Sequence, residues 1–304
     1  MARLCITGSN GFLGSVILKS LKKQSFTIKS IGRSSINDIC CDLALAIPKL
    51  NEKFDTIIHV AGKAHSVPIN NTERNEFYQV NTEGTKNLIR GIEKSKSLPN
   101  SLVFISTVAV YGTEMGDLLD ETTPRNAKDP YGLSKIIAED FLLDWGAKND
   151  VKITIIRPPL IVSSNPPGNL GAMIKGIKTG LYFNINGGHA KRSMVLAEDL
   201  AKFIPFLSSV GGIYNLTDGY HPSFLDLSKI ISKTLNKREV LCLSPFAAKL
   251  FAVSGDFLEL FIKNIPYNSQ ILEKMSSSLT FSDLEARKMG WNPRPILQFP
   301  ELWL

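Results

Sequence analysis

The first half of the chain alternates short apolar runs, rich in β-branched residues, with longer stretches whose apolar positions repeat at helical spacing. Strands are predicted at 4–7, 27–31, 56–60, 102–106 and 152–157, and helices at 12–22, 83–94 and 131–144. Strands separated by helices are typical of a parallel sheet with helices on both faces. The pattern therefore predicts an α/β fold with a doubly wound parallel sheet.

Beyond residue 160 this regularity ends, and glycine and proline cluster at 164–169 and again at 186–188. We expect residues 1–160 to form one domain and residues 161–304 to form mainly a smaller α+β substrate lobe, with later segments returning to the first domain. An apolar segment at 246–262, interrupted by charges, is predicted as an amphipathic helix that packs into its own lobe.

Composition is that of an ordinary globular protein: 43% of the 304 residues are hydrophobic, 21% are charged, and the mean hydropathy is +0.02. No apolar run is long enough to span a membrane, and the N-terminus lacks signal-peptide features. We therefore expect a cytoplasmic protein with no membrane partner. The net charge of +7 comes from scattered lysines and arginines, which favours an anionic small substrate over nucleic acid.

The cysteines and histidines lack the spacing of a zinc site or of a disulfide framework. We expect reduced thiols and no bound metal. His59 lies within an apolar predicted strand, so we interpret it as a packed core histidine.

A glycine-rich turn joins the first predicted strand directly to the first predicted helix. In this context one glycine serves the tight turn, another allows the backbone to approach a pyrophosphate, and a third lets the helix pack on the strand. The helix N-terminus adds free N–H groups and a partial positive charge. The turn therefore predicts a dinucleotide-binding loop, formed by Gly8, Asn10, Gly11, Phe12, Leu13 and Gly14.

The end of the second strand indicates which dinucleotide is bound. Dinucleotide folds place an acid there to bind a ribose hydroxyl, or an arginine to accommodate a 2′-phosphate. The chain has Arg33 followed by two serines at this point, and no acid before Asp38. We expect NADP(H) to be preferred, with NAD(H) possible; a solvated loop arginine is the alternative. Asp42 and Leu43 either contact the adenine or cap a helix.

A candidate catalytic group combines a helix and a strand end. Tyr131 and Lys135 are four residues apart, which places both on one helix face behind Asp129 and Pro130 as helix-start residues. A tyrosine has a pKa near 10, so it needs a nearby lysine to stabilise its phenolate. Thr107 follows an apolar strand at the sheet edge where ligands bind, and its hydroxyl can orient the same substrate oxygen.

The order of these motifs resembles the extended short-chain dehydrogenases/reductases, in their nucleotide-sugar epimerase, dehydratase and 4-ketoreductase family. The matching stretches, spread over essentially the whole chain, are 8–14, 59–62, 81–85, 107–111, 131–135, 157–159, 168–169, 192–193, 199–201 and 289–293. The resemblance implies a Rossmann-type domain with further cofactor contacts from Ala61, Gly62, Lys63, Asn81, Ser106 and Pro158. Lys63 either reaches the cofactor phosphates or is solvated.

The same resemblance implies a nucleotide-linked hexose as substrate, more often UDP- than dTDP-linked, and a homodimer. Asn169, Arg192 and Tyr111 are the implied substrate contacts, since an arginine pairs well with a diphosphate. A 4,6-dehydratase is disfavoured because Val108 and Ala109 follow Thr107, where those relatives carry an acid pair.

Three functions follow as hypotheses. The leading one is an NADP(H)-dependent reductase of a UDP-4-keto-6-deoxy-N-acetylhexosamine in surface-polysaccharide synthesis, supported mainly by Arg33, because a net reductase draws on NADPH. A UDP-glucose or UDP-N-acetylglucosamine 4-epimerase with retained NAD would use the same catalytic group. A non-catalytic nucleotide sensor is the minor alternative, which the presence of Tyr131, Lys135 and Thr107 disfavours.

Overall fold

A computed structural model of the chain describes residues 1–64, 68–244 and 269–304. Its strands, numbered along the chain, are β1 Arg3–Thr7, β2 Thr27–Gly32, β3 Ile39–Cys40, β4 Thr56–His59, β5 Ser101–Ile105, β6 Gly116–Leu119, β7 Lys152–Arg157, β8 Leu160–Val162, β9 Asn184–Ile185, β10 Met194–Leu196, β11 Gly212–Asn215, β12 Cys242–Leu243 and β13 Leu279–Phe281. Seven of them form one parallel sheet in the order β11-β7-β5-β4-β1-β2-β3. The prediction of a doubly wound α/β fold is confirmed.

The helices cover both faces of this sheet and continue into a second lobe. They are α1 Phe12–Leu21, α2 Asn71–Phe77, α3 Gly84–Lys94, α4 Pro130–Asn149, α5 Gly168–Thr179, α6 Ala197–Val210, α7 Phe224–Thr234, α8 Ser269–Ser276 and α9 Leu284–Lys288. The helix expected at 83–94 begins earlier, because α2 runs through a π-helical turn, Tyr78–Glu83, into α3. α2 is a polar surface helix whose start is capped by Asn70, which accepts a hydrogen bond from the N–H of Glu73 at 2.8 Å.

The central sheet is buried on both sides, which explains why its strands are apolar without alternation. One core joins the sheet to α1 and α6, with Ile6, Ile17 and Ile204 all at 0% exposure. The other joins it to α3 and α4 through residues such as Leu88 and Leu142. Each such side chain stabilises the fold by about 1.5–3 kcal/mol relative to an exposed position.

The chain beyond residue 160 contributes to two parts of the structure, the layers of the main sheet and a separate hydrophobic core. α6 packs against α1, and β11 forms an edge of the main sheet, so these later segments belong to the layers of that sheet. A separate core unites α5, α7 and the C-terminal residues around Trp303. The helix expected at 246–262 lies outside the described residues.

Within the part of the chain that the structure describes, no helix is both long and apolar enough to cross a membrane.

Replacing Trp303 tests the core of the second lobe. Its side chain is fully buried, and its indole N–H donates to the carbonyl of Ile296 at 3.0 Å. We expect Trp303→Ala to lower the free energy of unfolding by about 3–5 kcal/mol, because a large cavity is created. Leu284→Ala, at a side chain that is 64% exposed, should change it by less than about 0.5 kcal/mol. Equal urea midpoints for the two variants would contradict this packing.

Candidate active site

A cavity of about 880 Å³ opens at the carboxyl ends of β1, β2, β4 and β5. This is the edge where the strand order reverses on either side of β1, and open parallel sheets bind ligands there. Most sequence-predicted residues line it, namely Gly8, Asn10, Gly11, Phe12, Leu13, Gly14, Arg33, Asp42, Leu43, Ala61, Gly62, Lys63, Ser106, Thr107, Tyr131, Lys135 and Pro158. The cavity is thus large enough for a dinucleotide and is surrounded by the predicted motifs.

The glycines of the first loop are required by close backbone contacts. Gly8 has φ +70°, and a Cβ on it would lie 2.7 Å from the backbone of Ala61. A Cβ on Gly14 would lie 2.0 Å from the carbonyl oxygen of Gly8. α1 begins after Gly11 with no side-chain cap and no acid in its first turn, so its first N–H groups remain available. This geometry fits a pyrophosphate at the helix N-terminus.

A buried amide that the sequence did not reveal joins this loop to the end of β2. Asn37 accepts a hydrogen bond from the Ser9 hydroxyl at 3.0 Å and donates to the carbonyl of Ser34 at 2.8 Å. Its side chain also fills the space beside Gly32, where a Cβ would meet it at 2.7 Å. Asn37 carries no sequence signal, because a polar residue in a polar loop gives no hint of burial.

The two acids after β2 have different positions. Asp38 does not line the cavity, since it accepts hydrogen bonds from the N–H and hydroxyl of Ser30, both at 2.9 Å, and pairs with Lys29. Burial raises the pKa of Asp38, but these hydrogen bonds and the lysine charge outweigh it and lower that pKa. Asp42 lines the cavity, and its side chain accepts a hydrogen bond from the N–H of Ala44 at 3.0 Å. The residues after Asp42 form a turn and not a helix.

Tyr131, Lys135 and Thr107 meet at the inner end of the cavity. Asp129 caps α4 by accepting from the N–H of Gly132 at 3.0 Å, with Pro130 as the first helical residue. The Thr107 side chain lies close enough to the Tyr131 hydroxyl to lower the pKa of Tyr131, and the Thr107 hydroxyl accepts from the N–H of Ala109 at 3.1 Å. Lys135 donates to the carbonyl of Ile105 at 2.8 Å, at the end of the strand that leads to Thr107. The three side chains therefore line the same cavity.

Burial controls the protonation of this group. It raises the pKa of Tyr131, although the hydrogen bond from Thr107 opposes the shift. It lowers the pKa of Lys135 to about 8, against the opposing charge of Glu139. At neutral pH the tyrosine is therefore neutral and the lysine mostly charged. A neutral tyrosine is suited to donating a proton.

The histidine beside this group holds the strand ends together. Thr7 accepts at its hydroxyl from the N–H groups of Val60 and Ala61, so its proton points to Nδ1 of His59 at 2.7 Å. The His59 Nε2 then donates to the Thr85 hydroxyl at 2.9 Å. Burial, and then the charge of Lys135, lower the pKa of His59 to about 3. It is a neutral core histidine, as the apolar strand predicts.

Asn81 shapes the wall of the cavity without lining it. It lies in the π-helical turn, where its side chain accepts from the Lys63 N–H at 2.7 Å and donates to the Lys63 carbonyl at 3.1 Å. It also donates to the Ser134 hydroxyl at 2.9 Å. The Lys63 ammonium pairs with Glu76, a cavity-lining residue that the sequence did not indicate.

The three expected substrate residues lie outside the cavity lining. Asn169 is exposed near the start of α5. Arg192 lies over the ring of Phe224 and donates to backbone carbonyls of Lys274 and Ser277. Tyr111 is only 2% exposed, and its hydroxyl donates to Asn215 at 2.8 Å. The placement of Tyr111 departs from the expected substrate contact, because its hydroxyl is committed to the protein interior.

The cysteines are free, and among the residues that the structure describes no three histidine, cysteine or acidic side chains cluster as metal ligands do.

A glycine loop at a helix N-terminus and a Tyr–Lys–Thr group on the same cavity define an NAD(P)-dependent enzyme of the extended short-chain dehydrogenase/reductase type. A model of the NAD dependent epimerase/dehydratase family matches residues 4–216. The chain belongs to this family, and the predictions of family and of enzymatic character are confirmed.

Two curated relatives illustrate the family. The chain is 29% identical to the N-acetyl-alpha-D-glucosaminyl-diphospho-ditrans,octacis-undecaprenol 4-epimerase of Escherichia coli O157:H7 over 252 residues, which is 77% of this chain and 72% of that protein. It is 25% identical to the UDP-glucose 4-epimerase of Vibrio cholerae over 316 residues, 97% of this chain and 92% of that protein.

Two solved structures share the fold over nearly the whole chain. The UDP-glucose 4-epimerase of Thermus thermophilus in complex with NAD has a TM-score of 0.73 at 20% identity, covering 99% of this chain and 97% of its own. RMD from Pseudomonas aeruginosa complexed with NADPH has a TM-score of 0.74 at 20% identity, covering 99% and 98%. At these identities the likeness is one of fold.

Gly14→Ala tests the phosphate loop. The added Cβ must displace the Gly8 carbonyl, so we expect the dissociation constants of NADPH and NADH to rise at least about tenfold. The matched control is Gly84→Ala, whose Cβ would make ordinary contacts at 3.7 Å with Leu43. Cofactor titration by fluorescence measures both variants. Wild-type affinity in Gly14→Ala would contradict the proposed use of this loop.

Lys135→Met tests the cost of the buried charge. Because the pKa of Lys135 falls to about 8 in the folded protein, its charged form opposes folding below that pH. Between pH 8 and pH 10.5, which is the pKa of Lys135 in the unfolded chain, Lys135 loses its proton in the folded protein but keeps it in the unfolded chain. The free-energy cost of burying the charge therefore falls as the pH rises through this range.

We expect Lys135→Met to be more stable than wild type by about 1–3 kcal/mol at pH 7, and the gain to shrink towards pH 10.5. Urea unfolding at pH 7 and pH 10 measures it, with the exposed Lys229→Met as control. A difference independent of pH would refute the explanation.

Proposed function

We propose that the protein is an NADP(H)-dependent oxidoreductase acting at C4 of a nucleotide-linked hexose, and specifically a UDP-4-keto-6-deoxy-N-acetylhexosamine reductase of surface-polysaccharide synthesis. The observation that carries the proposal is the end of β2. Arg33 lines the cavity there as an exposed side chain, whereas the carboxylate of Asp38 is bound to Ser30, away from the cavity. A cationic pocket without a ribose-binding acid favours a 2′-phosphate.

The cofactor-binding roles follow the geometry of the cavity. Arg33 and the neighbouring Ser34 would hold the 2′-phosphate, and the N–H groups at the start of α1 would bind the pyrophosphate. Asp42 would face the adenine. The backbone of Gly62 and Lys63, fixed by Asn81, would line the path towards the nicotinamide. When bound, the nicotinamide supplies the hydride.

The reaction itself then needs only a proton donor and a polarising group from the chain. Thr107 would hydrogen-bond the oxygen at C4, and Tyr131 would donate its proton to that oxygen, so that reduction of the carbonyl gives a C4 alcohol. Lys135 would hold the ribose of the cofactor and stabilise the tyrosinate that remains. A tyrosine that is neutral at pH 7 is suited to this direction of proton transfer.

The second lobe would bind the nucleotide of the substrate. We assign residues 161–304 mainly to this lobe, with Asn169 and Arg192 as the candidate contacts to the UDP diphosphate. Arg192 would have to exchange its backbone partners near residues 274–277 for that ligand. A cytoplasmic homodimer completes the proposal.

A C4 epimerase is the second candidate. The two curated relatives described above are named as 4-epimerases, one acting on a UDP-sugar and one on a diphospho-undecaprenol-linked sugar. The same Tyr131, Lys135 and Thr107 would serve an epimerase that oxidises and re-reduces on one retained cofactor. The two functions differ in whether reduced cofactor is consumed.

The direct test is the loss of NADPH absorbance when the protein meets a UDP-4-keto-6-deoxy-N-acetylhexosamine. We expect stoichiometric oxidation, reduced at least about a hundredfold in Tyr131→Phe because the proton donor is missing. An absence of oxidation, together with interconversion of UDP-glucose and UDP-galactose or their N-acetyl forms, would move the assignment to an epimerase.

Arg33→Ala tests the preference for NADPH over NADH. Arg33→Ala should raise the dissociation constant of NADPH about tenfold or more and leave that of NADH nearly unchanged, because only NADPH carries the 2′-phosphate. Arg238→Ala, at an exposed arginine outside the cavity, is the control. Tighter binding of NADH than NADPH by the wild type would refute the preference.

A further inference from the structure

A carboxylate with no solvent exposure lies directly beneath the candidate catalytic group. Glu139 is one helical turn beyond Lys135 on α4, and its side chain is 0% exposed. It accepts from Arg157 twice, at 3.1 Å from Nε and 2.6 Å from Nη2, and from Arg125 at 3.2 Å. The Ser106 hydroxyl donates to it as well. Four donors thus converge on one buried acid.

These contacts connect the two elements that carry the catalytic side chains. Ser106 immediately precedes Thr107, and its N–H donates to the carbonyl of Ile156 at 2.7 Å. Through its hydroxyl, the end of β5 is bound to α4, the helix of Tyr131 and Lys135. A shift of Glu139 would therefore change the position of Thr107 relative to Tyr131, and both side chains line the cavity.

Positively charged groups outnumber negatively charged ones around the Glu139 carboxylate. Two guanidinium groups, Arg157 and Arg125, bind it, and the Lys135 ammonium lies one turn away on the same helix. The negative charge of Glu139 opposes the loss of the Lys135 proton, which burial promotes. Among the described residues, Tyr131 on the same helix and His59 from β4 also lie near Lys135, and both are neutral at pH 7. In that part of the chain, Glu139 is the acid whose charge acts on Lys135.

We propose that Glu139 is a positioning residue for the catalytic group, which sets the place of Thr107 through Ser106 and keeps Lys135 charged. This inference rests on the roles of Tyr131, Lys135 and Thr107 in the proposed function, but not on the identity of the sugar. Arg157 and Arg125 hold the carboxylate in place. A purely structural ion pair would also be buried, but it would not govern the ionisation of Lys135.

The experiment compares Glu139→Gln with Asp140→Asn. Glutamine keeps the size of the side chain and removes its charge. Asp140 is the next residue on α4, binds the same Arg125 at 2.7 Å, and is 54% exposed, so its variant is a matched control. The dependence of kcat on pH is measured for wild type and both variants, after circular dichroism and NADPH titration establish folding.

In Glu139→Gln we expect the alkaline limb of the kcat profile to move down by about one pH unit, because Lys135 loses its proton more easily without the acid. Asp140→Asn should leave that limb in place. A folded Glu139→Gln protein with an unmoved limb would overturn the inference. A wild type inactive with every nucleotide sugar would instead overturn the proposed function, so the two failures are distinct.

Ser106→Ala separates the positioning of Thr107 from the effect on the charge of Lys135. It remains informative if Glu139→Gln does not fold. It removes the hydrogen bond that connects Glu139 to β5 and leaves the carboxylate and its arginines in place. We expect kcat to fall about tenfold with the alkaline limb unmoved, because the Glu139 carboxylate keeps its charge beside Lys135 while Thr107 loses its connection to α4. An unchanged kcat would refute the link through Ser106.

Discussion

The site depends on the close contact between the end of β1 and the end of β4. Gly8 lies so near Ala61 that no side chain fits between them, and the Thr7 hydroxyl binds the backbone of the same segment. As a result of this contact, the N-terminus of α1 and residues 61–63 line the same cavity. His59 completes the hydrogen bonds of Thr7 within the protein. The geometry of the glycine loop is therefore built into the sheet itself.

Desolvation governs the chemistry at the other end of the cavity. It favours neutral tyrosine and opposes the charge of lysine, so the fold must supply groups that restore the useful protonation states. Burial keeps Tyr131 neutral, while the Thr107 side chain limits the rise in its pKa, and the Glu139 carboxylate opposes the loss of charge at Lys135. The acid is in turn neutralised by Arg157. The candidate catalytic group thus lines the cavity as part of a buried polar network, in which each member depends on the next.

Much of the fold and the cavity was predictable, because apolar strands and glycine turns have strong local patterns. The strand ends and the Gly8–Gly14 loop follow from those patterns alone. α2 was missed because it is polar, although Asn70 with Glu73 is a recognisable capping pair. Asn37 and Glu139 could not be found from spacing, because a buried polar residue is specified by distant partners. The burial of Tyr111 has the same origin, because the partner of its hydroxyl, Asn215, is 104 residues away.

The most direct test of the account is hydride transfer from labelled cofactor. NADPH deuterated at both positions of nicotinamide C4 would be incubated with a UDP-4-keto-6-deoxy-N-acetylhexosamine, and the sugar examined by mass spectrometry and NMR. The account predicts a deuterium at C4 of the product for each NADP⁺ formed. A product without deuterium, formed without net oxidation of NADPH, would contradict it and indicate a cofactor that is retained and regenerated within the site.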